Sequence, residues 1–564
     1  MLKYQNLIEA LECAPGDRTF LTMWYDIDEQ DSVTFDQFRQ QARGMAKWLQ
    51  LQGVETRDFV VLVMPQGIAG MAAFAGAMML GAVPSFLAYP SFKMNPAKYR
   101  TGLAGVTANL KAKVVVIDHA FPEELLGYVA VEETGIVLRC PELLPTEPSA
   151  HAFTTLDSSQ IAFLQHSAGT TGLQKGVALT HSKVLRQLDR LGGALQLEDF
   201  KDCIISWLPL YHDMGLIASF MLPMVFHIPL VMLSPLEWVM RPQSMLEAIT
   251  QHHCTLAWQP NFAFQFLARR TPQADRELCD LSSMRAFINC SEPIRANSMD
   301  EFYLAFSSCG LKEGAVSASY AMAENVFAVS QEPVSQSHGP ARVWADAATF
   351  RAKHLVVPVA ADSEDNLCFV SSGKLLPGME VRIVDEAGST LSPTQVGEIL
   401  LRTDCLFECY WNRPDLTAEA LIDGWYQTGD LGFLLDGNLY VVGRKKDLLI
   451  IAGENYYAQD IEEIVFADED IHDGRAIAIG AFNAALGTQE IVVVAEVQQE
   501  RLLENAPAIE QRIRSAIVQA LGVVVRAVLL KPPHWIVKST AGKPARTATK
   551  ERLQKEHPEF DFEL

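Results

Sequence analysis

Positive charge is scarce in this sequence of 564 residues. Its 46 lysines and arginines are outnumbered by 68 aspartates and glutamates, which gives a formal net charge of -22. A diffuse acidic surface repels nucleic acid, so nucleic-acid binding is excluded as the main function. The same field requires that any site for phosphate groups be locally basic.

Cysteine pairs with metal-ligand spacing are also missing. The ten cysteines form no C-x-x-C pair and no dense disulfide framework, which predicts reduced, mostly buried thiols in a cytoplasmic protein. The first thirteen residues have no continuous apolar core and carry acidic residues, so they do not resemble a secretory signal.

Charge is absent altogether from residues 60–92, a stretch long enough to span a bilayer. It contains Pro65, Gln66, Pro84 and several glycines, however. We therefore interpret residues 60–64 as a buried parallel strand, followed by a Gly/Ala-rich helix packed against a sheet. A membrane span is the weaker alternative.

Helical and strand-like patterns alternate through most of the chain. Residues 33–53 have the spacing of an amphipathic helix, and β-rich apolar runs lie at 113–117, 203–207 and 230–233. Such alternation predicts an α/β architecture with largely parallel sheets, and the length and the 49% apolar content predict at least two domains. From about 366 to 443, short strands with turn signals predict a β-rich subdomain.

After Gly443 the pattern begins again. Strands are predicted at 448–451, 476–479, 491–497 and 523–530, with helices near 457–466 and 503–521. We expect a small α+β domain there. Residues 531–543 are rich in Pro, Ser, Thr, Gly and Lys and predict an exposed mobile loop.

The strongest local motif is residues 166–176, HSAGTTGLQKG, which follow an apolar segment. Such a loop can present backbone N–H groups and a cation to phosphate oxygens. Its spacing is not that of the P-loop, so a P-loop NTPase is disfavoured. Taken alone, the motif fits equally well a flexible loop with a solvent-exposed lysine.

Further segments, in order, make the sequence resemble the adenylate-forming superfamily, which includes acyl-CoA synthetases, adenylation domains and luciferases. The resemblance spans nearly the whole chain. Each segment is weak alone, whereas the ordered set is specific. After the phosphate loop, these segments are 207–215, 289–295, 319–324, 424–430, 443–447, 453–455 and 539–543.

Within that superfamily the chain is most similar to fatty acyl-AMP ligases. The matching stretches are LPLYHDMGL at 208–216, SPL at 234–236, QPNFA at 259–263 and EPIR at 292–295. The long interval between Glu324 and Gly373 also matches that subfamily. These ligases pass the acyl group to the phosphopantetheine thiol of an acyl carrier protein rather than to coenzyme A.

The resemblance implies ATP-binding residues in three segments, where Tyr320 would stack on adenine. They are Ser167, Gly169, Thr170, Thr171, Gly172 and Lys175; Asn289, Cys290, Ser291, Glu292 and Pro293; and Ser319, Tyr320, Ala321 and Met322.

Two further nucleotide contacts are implied for Asp430 and Arg444, which would bind the ribose, and one metal ligand for Glu324, which would hold Mg2+. Taken alone, Asp430 is better explained as a turn residue and Arg444 as a surface arginine, and the alternative for Glu324 is a glutamate at the start of a helix. His212 would lie beside the reacting carboxylate, although a lone histidine is more commonly a core residue.

Lys543 is the predicted catalytic lysine, because a positioned ammonium group stabilises negative charge at the attacked α-phosphorus. Without the resemblance it would be a solvated lysine. Lys446 matches the hinge about which a C-terminal domain rotates.

Three residues depart from the superfamily pattern. Ala168 replaces a serine and Gln174 a proline in the phosphate loop, and Ala321 replaces a glycine. The lost hydroxyl weakens a phosphate contact and the lost proline loosens the loop, so nucleotide affinity and rate are the properties in question.

These inferences predict an N-terminal domain over 1–443 with two α/β lobes and the β-rich subdomain, a hinge at 444–447, and a mobile α+β lid domain over 448–564. The expected reaction joins a fatty acid to MgATP, giving acyl-AMP and pyrophosphate, and then acylates a carrier-protein thiol. The alternatives are a fatty acyl-CoA synthetase and a non-catalytic nucleotide-binding scaffold. Chain length of the acid, pathway and oligomeric state cannot be inferred.

Overall fold

The computed structural model describes residues 2–90, 96–131, 135–142, 144, 156–167, 175–198, 201–483, 486, 488–538 and 544–562. Helices and strands alternate as the sequence predicts, and the α/β fold class is confirmed.

The α-helices, in chain order, are α1 Leu7–Glu12, α2 Phe35–Leu51, α3 Ile68–Met79, α4 Pro96–Leu110, α5 His181–Leu195, α6 Leu222–Phe226, α7 Pro235–Met240, α8 Ser244–His252, α9 Asn261–Arg270, α10 Gln273–Arg276, α11 Ala296–Phe306, α12 Ala347–Lys353, α13 Pro414–Ala420, α14 Ala458–Phe466, α15 Ala506–Leu521 and α16 Arg546–Glu556.

The β-strands are β1 Thr19–Trp24, β2 Gln30–Thr34, β3 Phe59–Val63, β4 Val83–Phe86, β5 Val114–Ile117, β6 Ile136–Arg139, β7 Ile161–Ser167, β8 Lys175–Thr180, β9 Ile204–Ser206, β10 Leu230–Met232, β11 Leu256–Gln259, β12 Ala286–Asn289, β13 Val316–Ala321, β14 Ala328–Gln331, β15 Arg342–Asp346, β16 Asn366–Val370, β17 Lys374–Leu375, β18 Glu380–Val384, β19 Gly397–Arg402, β20 Leu421–Ile422, β21 Trp425–Leu435, β22 Asn438–Arg444, β23 Leu448–Ile451, β24 Glu454–Tyr457, β25 Ile471–Asn483, β26 Thr488–Val497 and β27 Val525–Lys531.

A long mixed sheet organises the large domain. Its parallel part has the order β13-β12-β11-β9-β10-β1, so these strands end at a common edge. Helix α2 is capped at its N-terminus by Thr34, whose side chain forms a capping box with Gln37. Its apolar face contains Phe38, Ala42 and Met45, which are buried in the main core.

A second sheet, β4-β3-β5-β6, is entirely parallel and forms the other α/β lobe. Strand β3 and helix α3 account for the charge-free stretch. Both are buried, and Gly76 brings α3 close to α2, since a Cβ there would lie 2.5 Å from the carbonyl oxygen of Ala42. The interpretation as a core strand and helix is therefore confirmed. No helix in the described part of the chain is long and apolar enough to cross a membrane.

The β-rich region is continuous with the large sheet rather than a separate layer. Strand β14 pairs with β13 on one side and with β17 on the other, and β17 leads through β22 to β21, β19 and β18. Such continuity was not evident from the sequence. It places Asp430, on β21, close to Tyr320, on β13.

Strands after the hinge form sheets of their own, β23-β24 and β25-β26-β27. Helices α14 and α15 pack on the three-stranded sheet and bury Ile461, Ile509 and Ile513. The prediction of an exposed loop over 531–543 is wrong at Trp535 and Ile536, which are 7% and 3% exposed. They pack with apolar residues of β25, β26 and the C-terminal segment, and residues 539–543 lie outside the described residues.

Candidate active site

The candidate site lies at the edge where the parallel strands of the large sheet end. Gln259 and Asn289 are the last residues of β11 and β12 and are paired in register. Tyr320 lies near the end of the neighbouring β13. The loop after β9 leads to His212. Carboxyl ends of parallel strands are where α/β sheets place their ligands, and four of the predicted segments meet there.

The predicted adenine-binding segment is fixed by side-chain hydrogen bonds. Asn289 is fully buried, and its Nδ2 donates to Oδ1 of Asn261 at 2.9 Å. The backbone N–H of Phe262 donates to Oε2 of Glu292 at 3.1 Å. Ser291 has φ of 69°, in the left-handed region. The segment is thus held against the start of α9 in one defined conformation.

The segment's other residues have structural contacts. The backbone N–H of Cys290 donates to the carbonyl oxygen of Gln259 at 3.1 Å, and the thiol is buried. Pro293 is half-buried in the same turn.

Asp430 is bonded to Tyr320 and lies near Arg444. The Tyr320 hydroxyl donates to Oδ2 of Asp430 at 2.6 Å, and Arg444 Nε lies 3.5 Å from Oδ1. Burial raises the pKa of Asp430, whereas the Arg444 charge opposes that rise. The backbone N–H of Asp430 donates to Thr428 Oγ1 at 3.0 Å. These contacts bring the two predicted ribose residues together at the edge occupied by Tyr320.

Two of the residues next to Tyr320 in sequence already make hydrogen bonds within the protein. Ser319 is buried and its hydroxyl donates to the carbonyl oxygen of Ser330 at 2.8 Å. Ala321 and Met322 are half-buried, and the Met322 backbone N–H donates to the carbonyl oxygen of Phe327 at 3.0 Å. The Ser319 hydroxyl therefore bonds the neighbouring strand β14. Its contact with the nucleotide stays a prediction.

Glu324 is paired with a tyrosine that the sequence did not single out. The Tyr410 hydroxyl donates to Oε1 of Glu324 at 2.7 Å, and the Lys175 ammonium lies 4.5 Å from the centre of the Tyr410 ring. Burial raises the pKa of Glu324, and Lys175 opposes that rise. The hydroxyl groups of Tyr426 and Tyr410 are 3.3 Å apart. Tyr426 also lies within electrostatic reach of both Glu324 and Asp430.

His212 is placed at the same edge. Its Nδ1 lies 2.7 Å from Oδ1 of Asp213, which also accepts the backbone N–H of Met214 at 2.8 Å. The Gln165 side-chain amide donates to the carbonyl oxygen of Tyr211 at 2.9 Å and holds the loop. The following π-helix, Met214–Met221, is buried. A π-helix is rare and frequently adjoins a functional site.

Two predicted groups fall outside what the structure describes. Gly169, Thr170, Thr171, Gly172 and Lys543 belong to the undescribed segments, and Ser167 is described only as the last residue of β7. Strands β7 and β8 pair antiparallel with Ser167 opposite Lys175, so the loop joins two adjacent strand ends.

The predicted hinge, residues 444–447, is in contact with Arg546. Arg546 Nε lies 3.2 Å from Asp447 Oδ1, and Arg546 also binds Glu462 of α14. Burial lowers the pKa of Lys446 to about 8. Lys445 Nζ lies 2.9 Å from Glu398 Oε2. Arg546, three positions after Lys543 in the sequence, thus adjoins the predicted hinge.

Sequence reasoning missed Asn261, Tyr410, Tyr426 and Arg546. Tyr426 lies within a matched motif, so its position was a signal that was available. Tyr410 had none, because a tyrosine among apolar residues is most often a core residue.

Known proteins are similar in sequence to this chain over most of its length. The sequence model of the AMP-binding enzyme family matches residues 8–411. The chain is 32% identical to a medium-chain-fatty-acid–acyl-carrier-protein ligase of Moorena producens, over 92% of this chain and 89% of that protein. It is 28% identical to a long-chain-fatty-acid–AMP ligase of Mycobacterium marinum, over 97% and 96% of the two chains. A putative fatty-acid–CoA ligase of Mycobacterium leprae is 29% identical over 96% of each chain.

Solved structures give the same result. One, from a study of the fatty acyl-adenylate ligases of E. coli and L. pneumophila, has a TM-score of 0.89 and 28% identity, over 99% of this chain and 98% of that one. The fatty acid AMP ligase of Legionella pneumophila has a TM-score of 0.74 and 26% identity, over 98% and 97%.

The family match, the relatives and the fold define an ATP-dependent acid ligase of the adenylate-forming class. With a family match over more than half of its length, the chain belongs to the AMP-binding enzyme family. The resemblance to fatty acyl-AMP ligases is confirmed.

Proposed function

We propose that this protein activates a fatty acid with MgATP to acyl-AMP and then transfers the acyl group to the phosphopantetheine thiol of an acyl carrier protein. Two clusters carry the proposal, one of Tyr320, Asp430 and Arg444 and one of Glu324, Tyr410 and Lys175. Their carboxylates, Asp430 and Glu324, both lie within electrostatic reach of Tyr426. A ribose-binding carboxylate beside a metal-binding carboxylate suits a magnesium nucleotide.

Nucleotide binding is assigned to three sets of groups. Asp430 and Arg444 bind the ribose hydroxyls, and Tyr320 both positions Asp430 and contacts the base. The backbone of the segment Asn289–Pro293 reads the adenine edge. Lys175, with the loop it follows, supplies the positive charge that phosphates require within an acidic protein.

Glu324 is suited to hold Mg2+. A hard cation takes oxygen ligands and few protein contacts, and no cluster of three or more metal-binding side chains occurs among the described residues. Glu324 offers one carboxylate whose desolvation favours a cation partner. When bound, the metal would neutralise phosphate charge.

The chemistry itself requires positioning and charge stabilisation. His212, oriented beside Asp213, orients the fatty carboxylate for attack on the α-phosphorus while pyrophosphate leaves. Lys543 stabilises the negative charge that develops there, a contribution of about 3–4 kcal/mol for one such group. The adenylate is the activated species, so no protein nucleophile takes part. Rotation at Lys446 exchanges the lid surface between the two steps.

The acceptor is assigned to a carrier protein because a relative that covers most of the chain is named as an acyl-carrier-protein ligase. Coenzyme A is the second candidate, favoured by the name of the Mycobacterium leprae relative. Cytoplasmic location is part of the proposal, and none of the ten cysteines, all of which lie in the described part of the chain, forms a disulfide bond.

The test is pyrophosphate release with a panel of fatty acids, followed by a thioester assay. We expect release with wild type and a loss of about two to three decades in Lys543→Ala. Unchanged adenylate yield in that variant would refute the role of Lys543. Retained ATP binding without release for any acid would instead identify a non-catalytic scaffold.

Acceptor choice is tested by offering holo carrier protein and coenzyme A to the same acyl-AMP-loaded enzyme. Faster thioester formation with carrier protein supports the proposal, and faster formation with coenzyme A supports an acyl-CoA synthetase.

A further inference from the structure

Arg295 joins the large domain to helix α14 of the lid. Its guanidinium donates to Asp460 Oδ1 at 2.7 Å, and its Nε lies 3.4 Å from Glu463 Oε2. Neighbouring Asn297 donates from Nδ2 to Glu463 Oε1 at 2.7 Å. Both acidic residues lie on α14 and both donors lie at the start of α11, so polar contacts join the two helices.

The backbone of Arg295 belongs to the candidate adenine-binding segment. Its N–H donates to Asn261 Oδ1 at 3.0 Å, and the same oxygen accepts the side-chain amide of Asn289 at 2.9 Å. Arg295, which bonds the lid, and Asn289 are therefore held by the same oxygen atom, Oδ1 of Asn261. Arg295 is about one quarter exposed, so its charge is only partly screened by solvent.

Helix α14 also binds Arg546, which follows Lys543 in the sequence. Glu462, between Asp460 and Glu463 in sequence, binds Arg546, with Arg546 NH2 to Oε2 at 2.8 Å. Arg546 lies three positions after Lys543 in the sequence. Helix α14 thus lies between Arg295, on the nucleotide segment, and the chain that carries the predicted catalytic lysine.

We propose that Arg295 is a positioning residue that latches the lid in the orientation used for adenylate formation. The inference rests on the proposed function and deepens it. The latch is released for acyl transfer, because the rotation that exchanges lid surfaces must break the Arg295–Asp460 and Asn297–Glu463 contacts. Nucleotide binding to the segment 289–295 favours the latched orientation, and by reciprocity the latch favours nucleotide binding.

The test separates the two half-reactions. Adenylation is measured as pyrophosphate exchange, and transfer is measured by supplying synthetic acyl-AMP and the thiol acceptor. Arg295→Ala removes the latch but keeps the backbone N–H that binds Asn261. We expect adenylation to fall about tenfold, with a higher KM for ATP, while transfer is unchanged or faster.

Two further variants test the pairing itself. Arg295→Lys keeps one cation and should restore part of the adenylation rate. The charge swap Arg295→Asp with Asp460→Arg should recover more activity than either single change. Arg269→Ala is the matched control, since Arg269 lies on the same domain, pairs chiefly with Glu301, and is 3.9 Å from lid residue Asp473. That variant should leave adenylation close to wild type.

The lid orientation can be followed without any chemistry, by the distance between spin labels placed on the large domain and on the lid. With ATP bound, the latch predicts one short distance in wild type and a broader, longer distribution in Arg295→Ala. Equal losses in both half-reactions, a loss confined to transfer, or unchanged label distances would overturn the proposal. If wild type adenylates no acid, the proposed function fails, whereas the label distances still test the latch.

Discussion

Tyr320 donates a 2.6 Å hydrogen bond to Asp430, a residue 110 positions away in the chain. The bond joins the end of a parallel strand in the α/β lobe to the β-rich region, and it orients the carboxylate that we assign to the ribose. Because this contact and the ribose contacts share one carboxylate, changes at the two residues should not act independently.

Removing the Tyr320 hydroxyl should therefore weaken nucleotide binding. A hydrogen bond to a charged group contributes about 1.5–3 kcal/mol, so we expect Tyr320→Phe to raise the KM for ATP by roughly tenfold or more. Asp430→Asn should have a larger effect, and the double variant should lose less than the product of the two single losses. Steady-state kinetics of the four enzymes decide this, and independent effects would contradict the shared role.

Glu324 should set the magnesium requirement. Even residues that only support metal ligands change metal affinity by about 10–100-fold, so Glu324→Gln should raise the Mg2+ concentration for half-maximal rate at least tenfold. Titration of pyrophosphate release with Mg2+ measures it. Glu332→Gln is a matched control, because burial raises the pKa of Glu332 as it does that of Glu324, but Glu332 lies beside Ser371 rather than Tyr410. An equal shift in both variants would remove the metal assignment.

Gly215 should be intolerant of a side chain. A Cβ at this position would lie 2.2 Å from the carbonyl oxygen of Pro209, in the loop that carries His212. We expect Gly215→Ala to reduce the free energy of unfolding by about 1–3 kcal/mol and to lower adenylation by displacing that loop.

Gly193→Ala provides the helical control. Gly193 is exposed within α5 and has open space at its Cβ position, so alanine should raise the free energy of unfolding by about 0.5–1 kcal/mol. Denaturant melts of both variants test the pair, and a neutral Gly215→Ala would show that the loop can move.

His166 should make the protein sensitive to acid. Complete burial lowers its pKa to about 4, from 6.5 in the unfolded chain, and neither ring nitrogen has a partner among the described residues. Above pH 6.5 the ring is neutral in both states. As pH falls towards 4 only the unfolded state takes up the proton, which reduces the free energy of unfolding by about 2 kcal/mol at pH 5.

His166→Phe should remove that part of the acid sensitivity, whereas phenylalanine at the exposed His119 should not. Unfolding free energies at pH 7 and pH 5 measure the difference. Parallel pH profiles for wild type and His166→Phe would show that the buried imidazole does not account for the loss.

Many of the helices and strands could be predicted from short stretches of the sequence. The apolar run that became β3, the amphipathic pattern of α2 and the reset after Gly443 each depend on local spacing, and the structure bears out these elements. The loop after β27 was predicted wrongly at Trp535 and Ile536. The flanking Pro, Ser and Lys residues indicated an exposed loop. The two large apolar side chains instead pack into a buried cluster with residues of β25 and β26.

Of the candidate site, the sequence by itself determined which segments carry polar groups and in what order, because hydrophobic period, turn residues and motif spacing are properties of neighbouring positions. Only the tertiary structure decided which of those groups touch. The pairing of β14 with β17 joins the β-rich strands to the sheet that contains β13, and in that sheet Asp430 of β21 meets Tyr320 of β13. The segment paired with β8 brings Tyr410 to Glu324. Such contacts arise from the order of strands in a sheet, which depends on the packing of the whole chain.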